Sequence, residues 1–468
     1  MSNQIRTLSP STGEVIFEHP GHSVVQVRQI AASAKDACHA FRSLTLGERK
    51  SIVARFLNIL SENKNTLANE LTQQMGRPIS YTAGEVDTAC KRGNYLLSIA
   101  DKSLEIIPGE PEEGFRRFVK KEPIGPVLIS TAWNYPYLIT INALIPALLA
   151  GNPVILRPSP QTPLVGERLV SYFQEAELPK SFLQLIHCAS GEVLGSITTI
   201  PQIKLVCYVG STAGGLQLRT ASAGRVLPLN LELGGKDAAY VREDADLRYT
   251  AAQIVDGAVF NSGQSCCSIE RVYVHASVHD AFVEEVQREL ASSRYVVGDP
   301  TDRATTVGPV ISHQAVRSIE GHIGDALAKG AIDVTPDSPG LNPPPKLGSY
   351  IKPRVLINVR HNMLVMREET FGPVIPIMKV NSDQEAVALM NDSEYGLTAS
   401  VWTRDISRGE ALIDQIEAGT VYINRCDYPS PDLAWVGWKN SGLGCSLGPQ
   451  AFDAFYQLKS FHIRESQR

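Results

Sequence analysis

Apolar residues recur at three- and four-residue spacing through residues 23–105, as in RKSIVARFLNILSENKNTLANELT (49–72), and this period predicts a helical region. From about residue 124 the pattern changes. PVLIST (126–131) is a short apolar run with β-branched residues, and YLITINALIPALLAG (137–151) reads as helix. PVIL, SFLQLIHC, KLVCYV and VLPLNLEL then read as strands, with PLVGERLVSYFQEA and TAGGLQLRTAS as helices between them. A second cycle follows: ERVYVHA and TASVWT as strands, VHDAFVEEVQRELAS and HQAVRSIEGHIGDALAKG as helices. Such alternation predicts parallel sheets covered by helices on both faces. RRFVKKEP (116–123) and YQLKSFHI (456–463) belong to neither cycle. Exposed strands need partners, so these two are expected to serve subunit contact or to be edge strands within one subunit.

The length of 468 residues predicts two or three domains. A net charge of −5 without any basic run argues against a nucleic-acid partner. The N-terminus has no apolar leader and no run is long enough to span a membrane, so a cytoplasmic protein is expected. The 8 cysteines show neither C-x-x-C nor metal spacing with His; a zinc site or disulfide framework is not expected, and most read as small core residues. One pair differs. Cys266 and Cys267 adjoin in the Gly/Ser/Gln-rich stretch VFNSGQSCCSIER (259–271), where a nucleophile is conceivable.

Three further segments carry candidate chemistry. In YVGSTAGG (208–215) a strand runs into Gly210 and Ser211 and a helix begins; its open N–H groups suit a phosphate, although a plain capped helix start looks the same. In LELGGK, Glu232 ends an apolar strand, where a desolvated carboxylate has a raised pKa and can act as a general base. Cys266 follows 34 residues later, enough for one helix to bring the chain back to the same edge. In TAWNYPY, Asn134 follows a strand and can donate to a developing oxyanion, or simply serve a turn before Pro136.

Together the ordered segments W-N-Y-P, G-N-P-V-x-L-R-P-S, G-S-T, E-L-G-G-K, G-Q-S-C, E-E-T-F-G-P-V and N-S-G-L-G resemble the aldehyde dehydrogenase superfamily, from LSPSTGEVI (8–16) to KSFHIR (459–464). The resemblance implies that Cys266 is the nucleophile and Cys267 a structural neighbour. It also implies Glu232 as general base and Asn134, with the Cys266 backbone N–H, as oxyanion donors. The expected reaction oxidises an aldehyde to a carboxylic acid through a thiohemiacetal and a thioester, with NAD or NADP. Trp133, Gly210, Ser211, Leu233, Glu369 and Phe371 are expected at the cofactor. Tyr135, Ile139, Asn142, Phe260 and Ser265 are expected to line the substrate tunnel, closed by 426–438 with Tyr428, Trp435 and Trp438 as an aromatic wall. Asp427 or Asp432 beside that wall would suit a cationic aldehyde, but packing aromatics and solvated acids are the plainer reading. Glu270 is expected to pair with a neighbouring base. A non-catalytic cofactor-binding member and a coenzyme A-acylating one stay open as alternatives.

The pattern departs from the family at RPSP, where K-P-S-E is usual. Pro160 replaces the carboxylate that disfavours a 2′-phosphate, and Arg157 keeps a cation with a bidentate fork, so NADP should be accepted as well as NAD. WVGW before KNSGLG also departs from a usual Gly-Gly. The implied fold is α/β: a Rossmann-like NAD(P)-binding domain (1–99 and 125–234), an α/β catalytic domain (235–440) and a small β oligomerisation element (100–124 and 441–468). A homodimer or homotetramer is implied.

Overall fold

The computed structural model describes residues 4–188, 191–344 and 348–465. Two separate sheets follow the two cycles of the sequence. The first has 6 strands in the order Gly442–Leu443, Leu229–Glu232, Leu205–Val209, Val127–Ser130, Val154–Arg157 and Leu183–Leu185. All neighbours are parallel except the first pair. Val127–Ser130 and Val154–Arg157 are buried along their whole length, which is why they read as continuous rather than alternating apolar runs. The chain moves outward from Val127–Ser130 on one side and returns to its other side with Leu205–Val209. That reversal opens a crevice at the carboxyl ends of these two strands.

The second sheet has 7 strands, ordered Ile332–Asp333, Arg354–Ile357, Val374–Val380, Ile269–His275, Asp237–Val241, Thr398–Trp402 and Thr420–Ile423. Only its first pair is antiparallel. Each sheet has helices and its own apolar core around it. Among the described residues no helix is long and apolar enough to cross a membrane.

The helical region resolves into Val24–Ser43, Leu46–Glu62, Lys64–Met75 and Ile79–Ser103. Ser23 and Thr45 begin the first two with capping boxes completed by Gln26 and Glu48. The last packs along Pro136–Leu149. There Glu85 accepts from Tyr137 N at 2.9 Å and pairs with Arg77 at 2.7 Å, both side chains being almost fully buried. Removing one member of such a pair leaves the other charge uncompensated. Glu85→Ala is therefore expected to destabilise the protein by about 3–5 kcal/mol, read from urea unfolding.

Phe115–Pro123 and Tyr456–Arg464 pair antiparallel with each other, and Ile107–Pro108 adds a third strand. The two unassigned strands of the sequence are thus each other's partners. The tail divides differently from expectation: Gly442–Leu443 joins the first sheet beside Leu229–Glu232, and Pro449–Phe455 packs on Pro136–Leu149. Only Tyr456–Arg464 enters the ribbon. SFLQLIHC is also shorter as a strand than expected, because His187 turns away to His22, its carbonyl accepting from His22 N and its own N–H donating to the His22 ring nitrogen Nδ1.

Candidate active site

The crevice of the first sheet opens into a cavity of about 830 Å³ that continues to the second. Gly210 and Ser211 follow Leu205–Val209 directly into the helix Thr212–Ser222, with Ser211 Oγ accepting from Gly214 N at 3.2 Å. A Cβ on Gly210 would lie 2.4 Å from Tyr208 Oη, so this turn admits no larger residue without displacing that ring. Trp133, Leu233, Glu369 and Phe371 line the same region. Trp133 and Phe371 meet edge-on, ring centroids 5.6 Å apart.

The two glycines of ELGGK have separate reasons. A Cβ on Gly234 would lie 2.5 Å from Glu369 Oε2, and one on Gly235 would lie 2.4 Å from the Cys266 carbonyl oxygen. Their bareness lets Glu369 and the cysteine loop close on the end of the Glu232 strand. Gly235 N donates to Glu369 Oε1 at 3.0 Å. Burial, with Glu270 nearby, pushes the Glu369 carboxyl up to about 8. Glu270 finds its base in Lys236 at 2.7 Å, not in the adjacent Arg271. It also accepts from Thr370 N and Phe371 N at 2.7 and 2.8 Å, holding the turn in which Phe371 has a φ of 50°.

One part of the expected cofactor site is corrected. Pro160 does not line the cavity; its carbonyl accepts from Thr7 Oγ1 at 2.6 Å. Arg157 does line it, but its fork is engaged: Nη2 donates to Cys188 O at 3.0 Å and Nη1 to Ser130 Oγ at 3.4 Å. The guanidinium is held against its own sheet. What remains fits a dinucleotide: an open helix start for phosphates, the half-buried Glu369 carboxylate for a ribose diol and an aromatic pair beside it.

The cysteine loop explains G-Q-S-C. The helix Leu247–Val259 ends in Phe260–Gly263, where Asn261, Ser262 and Gly263 have φ of 53°, 58° and 71°. A Cβ on Gly263 would lie 2.3 Å from Gly372 O. Gln264 is buried, and its Oε1 accepts from Ile311 N at 2.7 Å. Asn261 Nδ2 donates to Asn134 O at 3.3 Å, tying this loop to the one that carries Asn134. Cys266 reaches the cavity half-buried, while Cys267 is 4% exposed and its Sγ donates to Asp427 Oδ1 at 2.9 Å. The hydrogen bond with Cys266, burial and Asp427 all push the Cys267 thiol far up. A thiol so held is a poor nucleophile.

Glu232, Asn134 and Cys266 line one cavity. Burial raises the Glu232 pKa, partly offset by the hydroxyl of Ser446, which donates to Oε1, and by the charge of Arg92. Tyr135, Ile139, Asn142, Phe260, Ser265, Tyr428 and Trp435 line the remaining wall. Trp438 does not; it is exposed in a short strand paired with Tyr395–Gly396. Asp432 is exposed and bonded to Ser430, whereas Asp427 faces the cavity.

Arg77, Arg92 and Ser446 were not singled out from sequence. Arg77 stacks over Tyr135, 4.5 Å from the ring centroid, and Arg92 lies beside Asn142. Arg92 comes from helical sequence that carries no motif, its only local signal a cation on the otherwise buried face of a helix, and Arg77 lies in the short link between Lys64–Met75 and Ile79–Ser103.

The family model described as Aldehyde dehydrogenase family matches residues 1–461. The 3,6-anhydro-alpha-L-galactose dehydrogenase of Streptomyces coelicolor is 32% identical over 98% of this chain and 93% of its own length. A crystal structure of an NAD-dependent aldehyde dehydrogenase from Sinorhizobium meliloti superposes with a TM-score of 0.93 at 30% identity, covering 99% of this chain and 92% of that one. An NADP-dependent glyceraldehyde-3-phosphate dehydrogenase from Bacillus halodurans, complexed with NADP, gives 0.92 at 30% identity, covering 99% and 96%. With the family pattern running from end to end of a chain that folds in this way, the protein belongs to the aldehyde dehydrogenase family.

Proposed function

We propose that the protein oxidises an aldehyde to the carboxylic acid with NAD or NADP, with Cys266 as nucleophile, Glu232 as base and Asn134 as oxyanion donor. The observation that carries this reading is the meeting of those three side chains on one cavity, with the rival thiol of Cys267 turned to Asp427. Glu232, directly or through water, takes the Cys266 proton, and the thiolate adds to the carbonyl carbon. The alkoxide receives hydrogen bonds from the Asn134 amide and the Cys266 backbone N–H. When bound, the nicotinamide supplies the two-electron oxidant, accepting hydride from that carbon. Once Glu232 has released its first proton to solvent, it draws a proton from water attacking the thioester on Cys266; the thiolate leaves and the acid is released. A buried base suits hydrolysis, and a product assay with and without coenzyme A tests it against acyl transfer.

In this reading Gly210 and Ser211 hold the pyrophosphate, Glu369 the nicotinamide ribose, and Trp133, Leu233 and Phe371 pack around it. Residues 1–99 and 125–234 form the cofactor domain and 235–440 the catalytic domain. The ribbon of Phe115–Pro123 and Tyr456–Arg464, with Leu458 63% exposed, supports subunit contact in a cytoplasmic homodimer or homotetramer. The test is the appearance of reduced nicotinamide from a panel of aliphatic, aromatic, amino- and acid-bearing aldehydes with each cofactor. Silence throughout, from protein that still binds NAD, overturns the reading.

A carboxylate facing a 2′-phosphate costs several kcal/mol, and the RPSP segment, which brings Arg157 and Ser159 to the cavity, carries none. NADP is therefore expected to support kcat/KM within about tenfold of NAD, a difference under about 1.4 kcal/mol. A preference for NAD above about a hundredfold contradicts this.

A further inference from the structure

Glu85 and Arg92 lie two turns apart on the buried face of Ile79–Ser103, at 2% and 6% exposure. Glu85 has its counter-ion in Arg77. Arg92 has none: no ion pair among the described residues includes it. Its Nη2 faces the Pro429 carbonyl at 3.4 Å, the long limit for a hydrogen bond, and its Nη1 the Asn142 carboxamide oxygen, at 3.2 Å in the amide orientation that also lets Asn142 donate to Leu138 O. Its Nε is buried with no partner. A buried guanidinium this poorly matched is costly unless something else completes it.

Arg92 lines the active-site cavity beside Asn142 and Pro429, and among the carboxylates there its charge is coupled most strongly to Glu232. It therefore stands at the reacting end rather than the dinucleotide end. The other charges there do not neutralise it. Arg77 is matched by Glu85, and Lys91 adds a cation at the exposed rim. Asp427 is occupied by Cys267, and burial pushes its carboxyl up to about 7. Glu232 is the carboxylate whose charge reaches Arg92 most strongly without forming an ion pair, and the Arg92 fork, bonded only by two neutral acceptors, keeps further N–H donors for a ligand.

We propose that Arg92 receives a carboxylate on the tail of the substrate, so that the aldehyde is a short oxo acid. A single planar fork matches a carboxylate, whereas a phosphate dianion calls for further cations, and a cationic aldehyde is repelled. This rests on the dehydrogenase reading above and assigns its substrate class.

The test compares kcat/KM for succinate semialdehyde and butanal, equal in chain length, with glyceraldehyde 3-phosphate as a third arm. Wild type is expected to favour the oxo acid over butanal by about 10- to 100-fold, the size of one charge-assisted contact. In Arg92→Met, assayed on the pH plateau of each protein, that ratio collapses towards one, while Arg92→Lys keeps part of it. Because the ratio is taken within each variant, a general loss of activity does not mimic the effect. A second readout needs no variant and no turnover: glutarate is expected to slow alkylation of Cys266 in the wild type. Butanal used as well as the oxo acid, preference for the phosphate, an unchanged ratio in Arg92→Met, or no protection by glutarate each overturns the proposal. An equal fall for both substrates with a displaced pH profile does so too, and makes Arg92 a positioning residue for Glu232. Oxidation of no aldehyde at all, butanal included, fails the dehydrogenase reading itself, whereas butanal without an oxo-acid preference fails only this assignment.

Discussion

Cys266→Ala is expected to lower kcat by at least about 10,000-fold, because every covalent step of the proposed mechanism runs through that sulfur. The neighbouring substitution gives the contrast. Cys267→Ala removes a buried thiol whose hydrogen bond runs to Asp427, and it leaves Cys266 and its loop in place. Its expected cost is within about tenfold in kcat, roughly the loss of one neutral hydrogen bond. Both are read from steady-state rates, with cofactor binding by fluorescence to establish that each variant is folded. Equal losses in the two variants would contradict the assignment of Cys266. The loop itself supports the choice. Three consecutive left-handed residues and the buried Gln264 hold Cys266 at the cavity, and Gly235 leaves room for its carbonyl.

The second large effect concerns Glu232. Glu232→Gln is expected to reduce turnover about 100- to 10,000-fold, the usual range for a general base. The pH profile carries the sharper test. A base acts in its ionised form, and burial raises the Glu232 pKa, so activity should rise with pH over a higher range than an ordinary carboxylate would give. The Ser446 hydroxyl donates to Oε1 and favours the ionised form. Ser446→Ala removes that support, raises the pKa further and moves the acidic limb to still higher pH, while activity above the limb is retained. A limb that stays in place, or moves down, would show that Glu232 is not the group titrating. Arg92 acts in the same direction as Ser446, since its charge also lowers the Glu232 pKa.

Much of this site was legible in the sequence because its parts occupy strand ends. A parallel strand buried on both faces reads as a short apolar run, and the residues just after it fall at the sheet's carboxyl edge. Asn134 after Val127–Ser130, Gly210 after Leu205–Val209 and Glu232 at the end of Leu229–Glu232 were all visible in that way. Arg157 and Pro160 show the limit. The residue types suggested a fork open to a phosphate, but orientation depends on contacts remote in sequence, and Cys188 and Ser130 hold the guanidinium. Trp438 failed similarly, since nearness along the loop 426–438 does not tell which side chains turn inward, whereas the exposed Asp432 is the solvated acid of the plainer reading. Asp237–Val241, a central strand of the second sheet, follows LELGGK with no turn signal between and was missed.

By itself the sequence determined the alternation that makes two parallel sheets, the strand-end residues of the crevice and the ordered motifs of the family, since each depends on local periodicity or on residues close in the chain. Only the tertiary structure decided what depends on long-range packing. It joined Phe115–Pro123 to Tyr456–Arg464, brought Ser446 to Glu232 and Asp427 to Cys267, and set Arg92 in the cavity without a counter-ion. Those partners lie tens to hundreds of residues apart, so no periodicity links them; what pairs them is the desolvation cost of leaving polar groups alone in a buried space.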